Sequence, residues 1–127
     1  MRNHRTLPDS ELDIMLAVWH AEGPATAPAI LEALEKPLTA SALHSYLKRL
    51  EEKGYLRCEK DGRVNRYTPL IFEEEYRRQA GGAVLEKLYD GSLKTFAAAL
   101  WDGGRLSASQ VSELRDYLDE LEGGKKG

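Results

Sequence analysis

The sequence predicts a mainly α-helical fold with one small β-hairpin. Residues 39–53 have the apolar spacing of an amphipathic helix, and residues 55–68 follow them as two strand-like runs around an Asp-Gly pair. A helix that carries hydroxyls and cations, followed by a basic hairpin, is typical of a winged helix-turn-helix. We therefore expect a winged helix-turn-helix domain over residues 1–70 and a C-terminal helical dimerisation region over residues 71–127.

The charge distribution places any polyanionic partner in the middle of the chain. The 127 residues carry a formal net charge of −3, which argues against a protein coated in cations. Residues 36–68 nevertheless carry eight cations and four acids, whereas residues 73–122 carry six cations and eleven acids. Because a basic segment is the electrostatic footprint of nucleic-acid binding, we expect double-stranded DNA to bind at residues 36–68.

The residues present exclude several classes of protein. The single cysteine, Cys58, excludes an internal disulfide and a cysteine-rich metal cluster. His4, His20 and His44 lie on separate segments, and no Ser-His-acid, metal-ligand or phosphate-loop pattern appears, so we expect no enzyme, cofactor or metal site. No apolar run approaches the about 18 residues of a membrane span, and no signal peptide is visible, which predicts a soluble, cytoplasmic protein.

Two helices are predicted before the basic segment. Asp9 or Ser10 can cap a first helix that runs to about Ala21, and Thr26 can cap a second helix with Pro28 in its first turn. Spacings of three and four predict which side chains face the core. They are Leu12, Met15, Leu16 and Trp19 in the first helix, and Ala27, Ile30, Leu31 and Leu34 in the second.

The third helix is the candidate recognition element. It is expected to begin near Thr39 or Ser41 and to end before Gly54, with its leucines on one face and its polar side chains on the other. Small hydroxyl and cationic side chains suit entry into the DNA major groove, whereas the alternative interpretation is a solvated helix face. The candidate DNA contacts on this helix are Thr39, Ser41, Ala42, His44, Ser45, Lys48 and Arg49.

A hairpin is predicted directly after the third helix. Tyr55–Lys60 and Arg63–Thr68 have the composition of strands, and they flank Asp61-Gly62, the pair that a two-residue type I′ turn prefers. Leu56, Cys58 and Tyr67 are expected to face the core in this register. Cys58 is most simply a small core residue, with a redox role as the alternative.

The same register brings Arg57 directly opposite Arg66 on the outer side of the hairpin. Like charges across a ladder are destabilising by about a few tenths of a kcal/mol or more. Glu59 would relieve that repulsion diagonally, but a DNA phosphate would relieve it too, and the cation at the hairpin tip favours the phosphate. The candidate DNA contacts on this wing are Arg57, Arg63, Asn65 and Arg66.

Three further helices are predicted after the hairpin. The first runs from about Phe72 to Tyr89, the second is capped by Ser92, and the third is capped by Ser107 and stopped by Gly123. Together they are too few and too one-sided to make a core alone, so a two-fold dimer is the economical arrangement. The candidate dimerisation residues are Tyr76, Val84, Leu88, Phe96, Leu100, Trp101, Val111, Leu114, Leu118 and Leu121.

The order and spacing of five segments resemble the penicillinase-repressor family, which includes methicillin-resistance and copper-responsive repressors. The segments are LPDSELDIMLAVW, SALHSYLKRLEEKGYL, GRVNRYTPL, DGSLKTFAAAL and LSASQVSELRDYLDEL, and the resemblance covers about residues 7–121. It implies a homodimeric winged-helix repressor that binds palindromic operators and dimerises through its C-terminal helices. It also implies that residues 41–50 correspond to the family's recognition helix.

The chain departs from the family pattern at three places. At the positions of residues 41–45 the family often has Ser-Thr-Val-Lys-Thr, whereas this chain has Ala42 and His44 at the second and fourth of these positions. The resemblance therefore implies no particular operator sequence. β-Lactam-responsive members are cleaved at an Asn-Phe bond, and the matching positions here are Ala99-Leu100. Copper-responsive members carry a C-terminal cysteine motif, whereas this chain has Cys58 alone. Copper sensing of that type is therefore not expected.

Two alternatives concern the partners. The inducing signal is expected to be a sensor protease or a small molecule, and Tyr89 and Trp101 are candidates to line a ligand cavity in the dimer. Aromatic side chains at such positions are more often plain interface packing.

A winged-helix adaptor that binds other proteins, and shows no salt-sensitive affinity for duplex DNA, is the alternative to a DNA-binding regulator.

Overall fold

A computed structural model gives the structure of residues 6–126, with side chains described as far as Gly124. The elements in chain order are α1 (Asp9–His20), β1 (Ala25–Thr26), α2 (Ala27–Ala33), α3 (Ala40–Glu52), β2 (Leu56–Asp61), β3 (Val64–Pro69), α4 (Glu73–Tyr89), α5 (Leu93–Asp102) and α6 (Ala108–Lys126). The three strands form one antiparallel sheet in the order β1-β3-β2. This mainly helical architecture with a small sheet confirms the predicted fold class.

The chain divides into two compact units, the first ending at Ala83 and the second beginning at Val84. The predicted functional boundary after residue 70 remains a prediction, because α4 contributes residues to both units. Within residues 6–126, no helix is long and apolar enough to cross a membrane.

The first unit is built around a core that α1, α2, α3, the sheet and the start of α4 share. On α1 the buried side chains are Glu11, Ile14, Met15 and Val18, which differs from the predicted face. The predicted Leu12, Leu16 and Trp19 are only partly buried. The four buried positions do have helical spacing. The first of them is Glu11, and because a carboxylate is not expected at an inward position, the apolar pattern does not reveal this face in the sequence.

The start of α1 also differs from the prediction. Pro8, rather than Asp9 or Ser10, occupies the N-cap position, and no side chain caps the helix. The fixed φ of proline prepares the chain for a helix, and the Leu12 amide donates to the Pro8 carbonyl at 2.9 Å. Asp9 and Glu11 lie in the first turn, where negative charge favours the helix dipole.

The other predicted caps are confirmed. Thr26 Oγ1 accepts from the Ala29 amide at 3.3 Å, with Pro28 in the first turn of α2, and Thr39 Oγ1 accepts from the Ala42 amide at 3.0 Å. β1 was not predicted, since a strand of two residues is too short to show alternation. It pairs with β3 through Ala25 opposite Tyr67, which ties the turn before α2 to the hairpin.

The beginning of α4 packs on the first unit. Tyr76 Oη accepts a hydrogen bond from the Leu7 amide at 2.7 Å, and Trp19 Nε1 donates to the Ile71 carbonyl at 2.8 Å. Tyr76 is 5% exposed inside this core, so its predicted place among the dimerisation residues is wrong. Phe72, where the helix was predicted to begin, directly precedes α4 and is 67% exposed.

The second unit contains the end of α4, then α5 and α6. Asp90 and Gly91 both have positive φ and end α4, after which Ser92 Oγ accepts from the Thr95 amide at 3.1 Å and caps α5. Ser107 and Gln110 form the predicted capping box of α6. α6 does not stop at Gly123, because a glycine inside a helix costs only about 1 kcal/mol and Gly123 does not adopt positive φ.

Candidate nucleic-acid interface

The orientation of α3 is fixed by three leucines. Leu43, Leu47 and Leu50 are 0%, 1% and 0% exposed, and each fully buried leucine contributes roughly 1.5–3 kcal/mol relative to an exposed one. The opposite side of the helix is therefore committed to solvent. Of the predicted α3 contacts, Thr39, Ser41, His44, Ser45, Lys48 and Arg49 are exposed, while Ala42 is half-buried.

Two side chains on the outer side of α3 are partly ordered by their neighbours. The Arg49 guanidinium lies over the Tyr46 ring, with 5.5 Å between its central carbon and the ring centroid, as in a cation–π contact. The hydroxyl oxygen of Thr39 accepts the hydrogen bond that caps the helix. Within residues 6–124, neither Lys48 nor Arg49 has a carboxylate at ion-pair distance, so both cations are available to phosphates.

An ion pair between a partly exposed lysine and a buried carboxylate holds the C-terminal end of α3, and the sequence did not predict it. Lys53 Nζ donates to Glu11 Oε1 at 2.5 Å, and Glu11 is 2% exposed. A buried carboxylate is costly unless it is paired and hydrogen-bonded, so Lys53 makes the inward position of Glu11 tolerable. Burial raises the pKa of the nearby Tyr55 hydroxyl, and the proximity of Tyr76 and Glu11 raises it further.

The hairpin has a different turn from the predicted one. Asp61 pairs with Val64, so the two turn residues are Gly62 and Arg63. Gly62 has a φ of 67°, and Arg63 has no positive φ, which is the pattern of a type II′ turn with glycine at its first central position. The predicted type I′ turn at Asp61-Gly62 needs positive φ at both residues and is wrong.

The one-residue change in the turn removes the predicted opposition of Arg57 and Arg66. Thr68 lies opposite Arg57, and Glu59 lies opposite Arg66. Arg66 Nε donates to Asp61 Oδ2 at 3.1 Å, and Arg57 Nε lies 3.7 Å from Glu59 Oε2. The predicted repulsion between Arg57 and Arg66, which a DNA phosphate would have relieved, is therefore absent, because carboxylates of the same hairpin lie beside both arginines.

The predicted faces of the hairpin survive the change of register, because the pairing shifts by one residue on each strand. Leu56 and Tyr67 are buried and Cys58 is packed against the core, as expected. Cys58 lies opposite Tyr67, and burial together with the hydrogen bond to Cys58 raises the pKa of the Tyr67 hydroxyl. Asn65 hydrogen-bonds to the same hydroxyl, which places this predicted DNA contact on the core side of the wing.

Two cations of the wing remain free. Lys60 and Arg63 are exposed, and no carboxylate of residues 6–124 lies at ion-pair distance from either. Arg63 is the second residue of the turn, and it is exposed at the tip of the hairpin. Of the four cations of the wing, Lys60 and Arg63 are therefore free of carboxylates within residues 6–124, whereas Arg57 and Arg66 each contact one. The number of cations in the sequence does not reveal this difference.

The structure describes one of the other two histidines. His20 Nε2 lies 3.3 Å from Glu73 Oε2, which Arg77 also contacts, whereas His4 lies outside the described residues. Among the described residues, no group of three or more histidine, cysteine, aspartate or glutamate side chains is arranged to hold a metal ion.

The predicted dimerisation residues of the second unit remain largely uncovered. Those that are exposed are Leu88, Trp101, Leu114, Leu118 and Leu121, and those that are half-buried are Val84, Phe96, Leu100 and Val111. Leu93 and Tyr117 are also exposed, at 60% and 54%, and neither was among the predicted dimerisation residues. Tyr89 packs on Phe96 with 4.9 Å between ring centroids. Ala99-Leu100 lies inside α5.

Known proteins resemble this chain along most of its length. A sequence profile described as penicillinase repressor matches residues 7–120. The penicillinase repressor of Bacillus licheniformis is 32% identical over 128 residues, which cover 99% of each chain.

Two solved structures are also similar to part of this chain. The solution structure of the DNA-binding domain of the repressor BlaI has 29% identity and a TM-score of 0.51, covering 60% of this chain and 94% of that one. The solution structure of the monomeric form of Bacillus licheniformis BlaI, in complex with the blaP half-operator, has 29% identity and a TM-score of 0.50 over the same shares. These similarities confirm the resemblance seen in the sequence, and the chain belongs to the penicillinase repressor family.

Proposed function

We infer that the chain is a DNA-binding transcriptional repressor, and we propose that α3 enters the major groove while the hairpin contacts the phosphate backbone. The observation that carries this proposal is the exposed polar face of α3, held outward by three buried leucines on the other side. A helix in the major groove reads base edges with short polar and cationic side chains, which this face supplies. Membership of a repressor family also confirms the expectation that the chain is not an enzyme.

The residues proposed for base readout are separate from those proposed for backbone contacts. Ser41, His44 and Ser45 lie in the first half of α3, and in helix-turn-helix proteins this half of the recognition helix contacts base edges. Lys48 and Arg49 follow as exposed cations, and Arg63 extends from the wing. Cations that contact phosphates give affinity without sequence information. Such a regulator acts in the cytoplasm, where its operators are.

We propose further that two copies associate through the exposed apolar side chains of the second unit. Leu88, Trp101 and Leu118 are too exposed to contribute to a core in a single chain. Covering them with the same residues of a second copy makes a two-fold interface, and a two-fold dimer presents its recognition helices to the two halves of a palindrome. Palindromic operators are therefore expected.

Release from DNA by a sensor protease or a small-molecule inducer stays a prediction. Ala99-Leu100, which matches the position of the family cleavage bond, lies within α5. Proteases bind their substrates in extended form, so cleavage there requires part of α5 to unwind.

Selection of fragments from the source genome with the purified full-length protein tests the proposed function. We expect enrichment of a small set of fragments that share a palindrome, and competition by excess random duplex should not remove them. A His44→Asn variant should enrich a different base at one position of each half-site, while Glu22→Gln, at an exposed residue away from α3, should return the wild-type palindrome. Enrichment of nothing above background would favour the protein-interaction adaptor instead.

A further inference from the structure

We propose that Asp61 competes with DNA phosphates for Arg66 and so limits the sequence-independent affinity of the wing. The inference rests on the proposed function, since it concerns how the same wing contacts the DNA backbone. It assigns a role to a carboxylate at a place where a DNA-binding surface would be expected to carry only cations or neutral groups.

The geometry of the hairpin brings the two side chains together. Asp61 is the last residue of β2, and Arg66 lies on β3 opposite Glu59, so Asp61 and Arg66 are diagonal neighbours on the outer face. The type II′ turn at Gly62-Arg63 sets this register. Arg66 Nε donates to Asp61 Oδ2 at 3.1 Å, with Arg66 42% and Asp61 71% exposed at their side chains.

The contact engages the donor that Arg66 would offer to a phosphate. A guanidinium binds two oxygens at once when Nε and a terminal nitrogen donate side by side, and here Nε is already bonded to a carboxylate. A phosphate must therefore displace Asp61 to bind this edge of the guanidinium, or bind the other edge, which the two terminal nitrogens form.

The neighbouring cations show that the effect is confined to part of the wing. Arg63 and Lys60 have no carboxylate at ion-pair distance within residues 6–124, so they contact phosphates without a competitor. Glu59 stands opposite Arg66 and 3.7 Å from Arg57, so it is a weaker second competitor. The strength of the wing is therefore set by which carboxylate holds which arginine, in addition to the number of cations.

The test measures binding of the full-length protein to a random-sequence duplex by fluorescence anisotropy across a range of salt concentrations. Asp61→Asn keeps the size of the side chain and removes its charge. It should bind about 1.5-fold to fivefold more tightly at low salt, which corresponds to the roughly 0.2–1 kcal/mol that an exposed ion pair contributes. The slope of log affinity against log salt should steepen by about 0.9, as one additional phosphate contact requires.

Two controls separate competition from a general change of charge. Arg66→Gln should abolish the gain, so that the Asp61→Asn, Arg66→Gln double variant binds like Arg66→Gln alone. Glu22→Gln removes the same charge from an exposed residue outside the hairpin and should bind like wild type. Thermal unfolding of each variant shows whether the hairpin remains folded, and equal midpoints are expected.

The outcomes separate this inference from the proposed function. If the wild-type protein binds duplex DNA with a clear salt dependence, but Asp61→Asn gains no affinity, or gains it equally with Arg66→Gln present, the competition is wrong and the repressor stands. An equal gain in Glu22→Gln would likewise show a net-charge effect and overturn the inference. If the wild-type protein shows no salt-dependent binding to duplex DNA, the proposed function fails and this inference with it.

Discussion

The two compact units of the chain bury their apolar side chains to different extents. The first unit surrounds Ile14, Leu47 and Leu56 completely. In α5 and α6 no side chain as far as Gly124 is buried, and both an indole and a phenol, Trp101 and Tyr117, are more than half exposed. The first unit has a core of its own, whereas the second has apolar side chains that need another surface to cover them.

This difference shows which forces hold each unit. Tertiary packing stabilises the helices of the first unit, including α2, which is too short to be stable alone. α5 and α6 depend on local contacts, such as the Ser92 cap and the Ser107–Gln110 capping box. α5, with 10 residues, is too short to be stable alone in water, and most of the stability of protein helices comes from a packed apolar face, so the second unit is expected to gain its stability from association.

The largest effect is expected from removing a core side chain of the first unit. Leu47→Ala deletes a fully buried side chain at the centre of α3 and should lower the free energy of unfolding by about 2–5 kcal/mol, from lost burial and the cavity left behind. Urea denaturation at fixed protein concentration measures it. Leu70→Ala, at a 48% exposed leucine between β3 and α4, is the matched control and should cost well under half as much. Equal losses would show that the first unit has no privileged core.

The next effect tests the second unit as an interface. Leu118→Ala on α6 removes one apolar side chain that is 43% exposed from each copy. Covering about that share of two leucines, at roughly 1.5–3 kcal/mol for a whole side chain, implies about a tenfold to hundredfold rise in the dimer dissociation constant. Sedimentation equilibrium measures this constant. Glu120→Ala, an exposed neighbour on the same helix, should leave it within about threefold of wild type, as for a rim residue. A monomeric wild-type protein, or an unchanged constant in Leu118→Ala, would contradict the proposed interface.

The sequence predicted most of the features that depend on neighbouring residues, although not the cap of α1. The caps at Thr26, Thr39, Ser92 and Ser107 are local hydrogen bonds between residues three apart, and the leucine face of α3 is a local period, so all of these were found.

Features that depend on distant residues were not predicted. Glu11 lies inside because Lys53, 42 residues away, reaches it. The hairpin register depends on which pair of residues occupies the turn. Moving the turn by one position, from Asp61-Gly62 to Gly62-Arg63, changes the cross-strand partners but leaves the same side chains on each face of the hairpin. That difference decides whether Arg66 meets Arg57 or a carboxylate. The charge of the candidate site was therefore predicted, but its pairing was not.

An intermediate effect is expected from the ion pair that fixes α3. Lys53→Met leaves Glu11 buried without its partner and should destabilise the first unit by about 1–3 kcal/mol, less than for a fully buried pair because Lys53 is partly exposed. Combining it with Glu11→Leu should recover most of that loss, since an apolar pair has no desolvation cost. Urea denaturation of Lys53→Met, of Glu11→Leu and of the double variant measures the coupling. Full stability of Lys53→Met alone would show that the pair does not hold the helix.

The smallest effects are expected from the caps, and they distinguish the two units most directly. Thr39→Ala removes the hydroxyl that accepts from the Ala42 amide and should lower the stability of the first unit by about 1 kcal/mol, while Thr39→Ser retains the bond and should cost little. Ser107→Ala removes the equivalent acceptor for the Gln110 amide in the second unit. Since α6 is expected to be stabilised by association, this loss should appear as weaker dimerisation, about fivefold for the same 1 kcal/mol in each of the two copies, with the unfolding of the first unit unchanged. If Ser107→Ala instead lowered the stability of the first unit as much as Thr39→Ala does, the two units would unfold together and the contrast between them would not hold.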